Sequence, residues 1–154
     1  MVGLDFSAAF DRVNHSALIH KLKLLGIGAP FLNIIIESLT ERTQIVSVDG
    51  ELSDVRNVIS GVPQGSVHGP LLFIIYTSDM WLGLENKLVA YADDATLAAC
   101  IESPNLRSHV ADSLNRDLTR INDWCKLWGM KLNPLKTQSM LISRSRTPNP
   151  QHPD

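Results

Sequence analysis

The sequence predicts an α+β fold, an antiparallel sheet with helices packed on one of its faces, from three observations. Leu88 to Cys100 is a pair of apolar stretches joined by Asp93-Asp94 with no proline in either flank, which is the pattern of a β-hairpin with the aspartates at its tip. Gln44 to Val48 alternates like a strand before Asp49-Gly50, a strong two-residue turn signal, and a second strand follows through Val55 to Ile59. The remaining apolar residues recur at three or four positions, above all between Pro104 and Gly129, as on an amphipathic helix. The chain has 154 residues, enough for one domain, and its 44% hydrophobic and 19% charged content is that of a protein able to bury a core.

Met1 to Phe6 reads as a strand carrying Asp5 at its end. Ser16 to Leu25 reads as a helix, capped by Ser16, stopped by Gly26 and striped by Leu18, Leu22 and Leu25. Pro30 opens a second helix with Phe31, Ile34, Ile35 and Leu39 turned inward. Gln44 to Val48 and Val55 to Ile59 are the arms of a hairpin. Gly61 to Gly69 is a loop whose glycines permit tight turns or close approach of backbone to a ligand. Pro70 then starts an apolar helix, Leu71 to Met80, expected to lie buried behind the sheet.

The flanks of Asp93-Asp94 are too apolar for a surface hairpin, so that hairpin is also expected to be buried. Ser103 caps and Pro104 opens the long helix, whose inward stripe is Leu106, Val110, Leu114, Leu118, Ile121, Cys125 and Trp128, with Gly129 as its stop. Lys131-Leu132-Asn133 and Thr137 to Ser143 read as short strands around a turn holding Lys136. Residues 1–143 form the domain, and 144–154, with three prolines, read as a disordered tail.

Two adjacent carboxylates are by themselves an ordinary turn pair. Held at a buried tip they repel unless a cation lies between them, and Mg²⁺ binds through one or two carboxylates completed by phosphate oxygens. Asp5, at another strand end, would make a three-carboxylate cluster with Asp93 and Asp94. That is the anionic set that two metal ions need to clamp an in-line phosphoryl transfer.

Tyr91-Ala92-Asp93-Asp94 resembles the YADD form of the reverse-transcriptase signature. Leu4 to His15 resembles the first palm motif of non-LTR (LINE-like, jockey or CR1-type) retrotransposon reverse transcriptases, Ser60 to Phe73 the second, and Trp128 to Thr137 the fourth. Four motifs in the family's order cover nearly the whole chain. The resemblance implies the palm of a right-hand polymerase, with fingers and thumb mostly outside this stretch, and RNA-directed DNA synthesis on two Mg²⁺ (or Mn²⁺) ions held by Asp5, Asp93 and Asp94.

It also implies that Phe10 gates the ribose 2′-OH, although on spacing alone Phe10 reads equally as a core aromatic. Gln64, Gly65, Ser66 and Tyr91 would lie at the nucleotide. Lys136 would stabilise the leaving pyrophosphate, although alone it reads as a solvated lysine. His68 departs from the family's usual Leu. Asp11 and Arg12 read as a solvated pair with no catalytic role. The partners implied are an RNA template, a DNA primer, deoxynucleoside triphosphates, and the fingers, thumb and endonuclease domains of a longer parent.

A net charge of −2 and a pI near 6.2 are unexpected for a complete nucleic-acid polymerase, whose groove should be basic. By resemblance, that surface lies mostly in fingers and thumb. Cys100 and Cys125 lack metal-ligand spacing and fit an intracellular setting, nuclear or cytoplasmic. No signal peptide and no apolar run of about 18 residues is present. The competing expectation is a catalytically inert remnant of a degraded element.

Overall fold

The computed structural model describes residues 1–143, and the tail expected at 144–154 lies outside the described residues. Its centre is a four-stranded antiparallel sheet in the order β6-β7-β1-β8: β1 is Val2–Asp5, β6 Lys87–Tyr91, β7 Asp94–Ala98 and β8 Gln138–Ser139. Alternation along the strands sorts the two faces. Val2, Leu4, Ala95 and Leu97 are buried in one core with Leu18 and Leu22 of α1 (His15–Leu24), Leu72, Phe73 and Tyr76 of α3 (His68–Thr77), and Ile121 and Cys125 of α4 (Arg107–Trp128). Asp5 and Asp94 point to the opposite face. The expected α+β arrangement, antiparallel sheet with helices on one side, is the one observed.

Local chemistry sets most of the element ends. Gly129 stops α4 in the left-handed conformation at φ 72°. Asp49 and Gly50 both have positive φ, as a tight hairpin turn between β3 (Ser47–Val48) and β4 (Glu51–Leu52) requires. The flanking β2 (Thr43–Gln44) and β5 (Arg56–Asn57) extend the same hairpin.

Several expectations are corrected. Asn14, not Ser16, caps α1. It stands in extended backbone immediately before the helix, and its Oδ1 accepts from the Ala17 N–H at 2.9 Å. Leu25 lies beyond α1 and is exposed. The buried stripe of α2 (Ala29–Leu39) is Leu32 and Leu39 with Ile35 and Ile36 beside it, so the helix is rotated and Phe31 and Ile34 are 71% and 63% exposed. α3 begins at His68. Pro70 sits in its first turn, where a missing N–H costs nothing, and His68 is exposed, so it disturbs no packing. Leu71 and Ile74 of α3 are also exposed. A 3-10 turn, Pro104–Leu106, precedes α4.

The hairpin is only half buried. β7 is central, but β6 is the sheet edge, with Val89 and Tyr91 exposed. Among the described residues no helix is long and apolar enough to cross a membrane.

Candidate functional site

Asp5 ends β1 and stands directly opposite Asp94, the first residue of β7; directly opposed residues in an antiparallel pair point to the same face. Asp94 is also paired with Tyr91, so the hairpin turn consists of Ala92 and Asp93 alone. Ala92 has φ 52°, a conformation that costs a residue with a Cβ and that persists where the surroundings enforce it. The turn therefore carries Asp93 one step beyond the ladder. The three carboxylates do not share one point, and among the described residues no three His, Cys, Asp or Glu side chains gather closely enough to enclose a metal ion.

The other wall is built from the turn between α4 and β8. Asn133 N donates to Asp5 O at 2.8 Å, and Asn133 O accepts from the N–H groups of Lys136 and Thr137. This turn sets Lys136 beside the strand end, its Nζ 3.9 Å from Asp5 Oδ1 and its side chain 69% exposed.

Ala8 at φ 50° turns the chain into a 3-10 turn, Phe10–Arg12. Phe10 stacks on Phe73 of α3, with ring centroids 4.7 Å apart, so one ring face is packed.

The glycine-rich loop is strapped to this segment. Gly61 N donates to Val13 O, Val62 N to Phe10 O, Ser60 Oγ to Asp11 O and Gln64 Nε2 to Asp11 Oδ1 at 2.9 Å; His15 Nε2 lies 2.7 Å from Gly61 O. Two glycines make the fit possible. A Cβ on Gly61 would lie 2.9 Å from Asp11 Cα, and one on Gly69 would lie 2.3 Å from Pro63 O. Ser66 Oγ donates to Pro63 O and accepts from Gly69 N, tying the loop to the start of α3.

These parts enclose an open cavity of about 480 Å³. Of the expected residues, Asp5, Phe10, Gln64, Gly65, Asp93 and Lys136 line it, together with Asp11, Pro63 and Pro70. Asp94, Ser66 and Tyr91 are not among its lining residues. Hard carboxylate oxygens among the lining residues suit a divalent ion of the Mg²⁺ or Mn²⁺ kind better than a soft-ligand metal.

Two supporting clusters escaped the sequence reading. Lys21 is buried on α1, and its Nζ donates to Tyr76 O and Asp79 Oδ1, both at 2.5 Å, lying 3.8 Å from the Trp128 ring centroid. Trp124 Nε1 donates to the same Asp79 oxygen, and Tyr76 Oη donates to Trp128 O. Burial pushes the Lys21 ammonium below its ordinary value against the pull of Asp79, and burial pushes the Tyr76 phenol up.

Asp117 of α4 is wholly buried and accepts from the N–H groups of Glu85 and Asn86 and from Asn86 Nδ2, fixing the entry to β6. Burial alone would raise its pKa, but these bonds and that from Arg120 hold it below the usual value. The signal for both was a charged residue on the apolar side of a helix: Lys21 beside Leu22 and Leu18, and Asp117 four positions before Ile121. Cys125 lies in the same buried stripe, and burial pushes its thiol up to about 12.

A family profile described as "Reverse transcriptase (RNA-dependent DNA polymerase)" matches residues 1–152. The chain is 39% identical over 144 residues to the probable RNA-directed DNA polymerase from transposon BS of Drosophila melanogaster. It is 37% identical over 149 residues to the RNA-directed DNA polymerase from mobile element jockey of the same species. These matches cover 88% and 91% of the chain but only 16% of each relative's length. Among solved structures, apo telomerase from Candida Tropicalis, truncated from its C-terminal domain, superposes with a TM-score of 0.61 at 16% identity, covering 95% of this chain and 31% of that one. That likeness bears on the fold.

Proposed function

The chain belongs to the reverse transcriptase (RNA-dependent DNA polymerase) family, and on that premise we propose that residues 1–143 are the palm of a non-LTR, jockey-like element's polymerase. The reaction is attack of a primer 3′-OH on the α-phosphate of a deoxynucleoside triphosphate, directed by an RNA template. The observation that carries this reading is the meeting, in one cavity, of Asp5 and Asp93 with Phe10, Gln64, Gly65 and Lys136, from four separated stretches of sequence.

Asp5 and Asp93 supply oxygens for one or two Mg²⁺ or Mn²⁺ ions, with Asp94 next to them across the ladder from Asp5. Bound there, the ions supply activation of the hydroxyl and neutralisation of the triphosphate. The chain's own residues position the reactants, which is most of the catalysis in phosphoryl transfer. Phe10, braced from behind by Phe73, presents a fixed ring edge to the sugar. Gln64 and Gly65 form the base side of the pocket, and Tyr91 stands exposed beside the tip. Ser66 serves by holding the loop. Lys136 carries an exposed ammonium that can pass from Asp5 to the leaving phosphates. Template, primer and the remaining polymerase domains are partners contributed outside this stretch.

The test is to place residues 1–143 in the matching span of the jockey polymerase and follow oligo(dT) extension on poly(rA). Extension by the folded chimera, lost in Asp93→Asn, is expected. Asp93→Asn extending at the parent chimera's rate overturns the reading.

A further inference from the structure

Resting on the nucleotide reading of the cavity, we propose that Asp11 is a positioning residue that fixes which end of the Gln64 amide meets the nucleotide. Gln64 Nε2 donates to Asp11 Oδ1 at 2.9 Å, and both residues line the cavity. An ionised carboxylate only accepts hydrogen bonds, whereas an amide has one donating and one accepting end. The pairing therefore engages one N–H of the NH₂ group and turns Oε1 away from the Asp11 carboxylate, leaving Oε1 as the amide's acceptor, bonded to no described residue. A nucleotide group that meets Oε1 must then be a donor, a sugar hydroxyl or a base N–H.

Asp11 is itself held rigidly. Its backbone oxygen accepts from Ser60 Oγ, and its Cα stands so close to Gly61 that a Cβ there would lie 2.9 Å away. The two stretches are thus tied together by backbone and side-chain bonds, and the Asp11–Gln64 pairing stands in the fold without a ligand.

The experiment uses the whole 154-residue chain with ¹⁵N labelling. The Gln64 side-chain amide signal is assigned by its disappearance in Gln64→Met. That signal is expected to move in Asp11→Asn and to hold its place in Asp11→Glu, while the backbone spectrum of the sheet stays unchanged.

dTTP with Mg²⁺ is then titrated into each variant. Asp11→Asn and Gln64→Met should each weaken binding about three- to tenfold, the range for one ordinary net hydrogen bond, since the pair is solvent-exposed. The double variant should be no weaker than the worse single one, and Asp11→Glu, which keeps the acceptor, should recover most of the loss. An amide signal indifferent to Asp11, or losses that simply multiply in the double variant, overturns the role of Asp11. A wild-type chain whose amide follows Asp11 but which shows no saturable dTTP shift overturns the nucleotide reading and, with it, the recognition step proposed here.

Discussion

Asp117→Ala should destabilise the chain by about 3 kcal/mol and do so in a pH-dependent way. The carboxylate accepts from Glu85 N at 2.9 Å, Asn86 N at 2.8 Å and Asn86 Nδ2 at 2.8 Å. A hydrogen bond to a charged group contributes roughly 1.5–3 kcal/mol when buried. Glu85 is exposed and Asn86 half-buried, so water can take back part of each bond, and about 1 kcal/mol apiece is the fair share. The ion pair with the half-exposed Arg120 adds little. For a domain of this size the total corresponds to a fall in Tm of roughly 6–12 °C.

The folded-state pKa of Asp117 lies below its ordinary 3.8. Its stabilisation is therefore complete above that value and disappears as pH falls through the lower folded one. Thermal melts at pH 7 should show the full gap between wild type and variant, and melts taken progressively below pH 3.8 should show it closing. A gap under about 1 °C at pH 7, or one that widens in acid, would refute the reasoning.

Other outcomes follow from the same contacts. Gly69→Ala puts a Cβ 2.3 Å from Pro63 O, so the loop carrying Gln64 must shift; a loss of about 1–3 kcal/mol in chemical denaturation is expected, and a neutral result would show that the loop yields freely. Lys21→Met removes the cation that Asp79 and three aromatic rings surround. It should cost about 3 kcal/mol and change the near-ultraviolet spectrum of Trp124 and Trp128, whereas an unaltered spectrum would deny the cage its role. The 154-residue chain alone should bind Mg²⁺ only weakly and extend no primer processively, because its carboxylates fill only part of an octahedral shell. Robust extension of oligo(dT) on poly(rA), lost in Asp93→Asn, would contradict that.

What was legible in the sequence was what local chemistry decides. Asp49-Gly50 and Gly129 need left-handed backbone, and the structure puts them there. The apolar spacing of Leu18 and Leu22, and of Ile121 and Cys125, survives as core. The strand end at Asp5 and the tip at Asp93 follow from where apolar runs stop.

What was missed depends on partners distant in sequence. The face of α2 is chosen by what packs on it, and that favoured Leu32 over Phe31 and Ile34. β6 is as apolar as β7, but only its place at the sheet edge leaves it exposed. Asp11 looked solvated because its acceptor role needs Gln64, and Asp117 went unnoticed because its partners are Glu85 and Asn86. In the site itself, Asp5 and Asp93 stood out from the residues and the family resemblance added Phe10, Gln64, Gly65 and Lys136, but neither showed that Ala92 and Asp93 alone form the turn.

The central claim is that Asp5 and Asp93 make the cavity a metal–nucleotide site. The most direct measurement is paramagnetic broadening of the ¹⁵N-labelled chain by Mn²⁺ with dTTP. The account predicts broadening centred on Asp5 and Ala92 to Asp94, reaching Phe10 and Lys136, and abolished by Asp5→Asn with Asp93→Asn. Broadening centred elsewhere, for instance on the carboxylates of Glu85 and Asp117, or unchanged in the double variant, would contradict it.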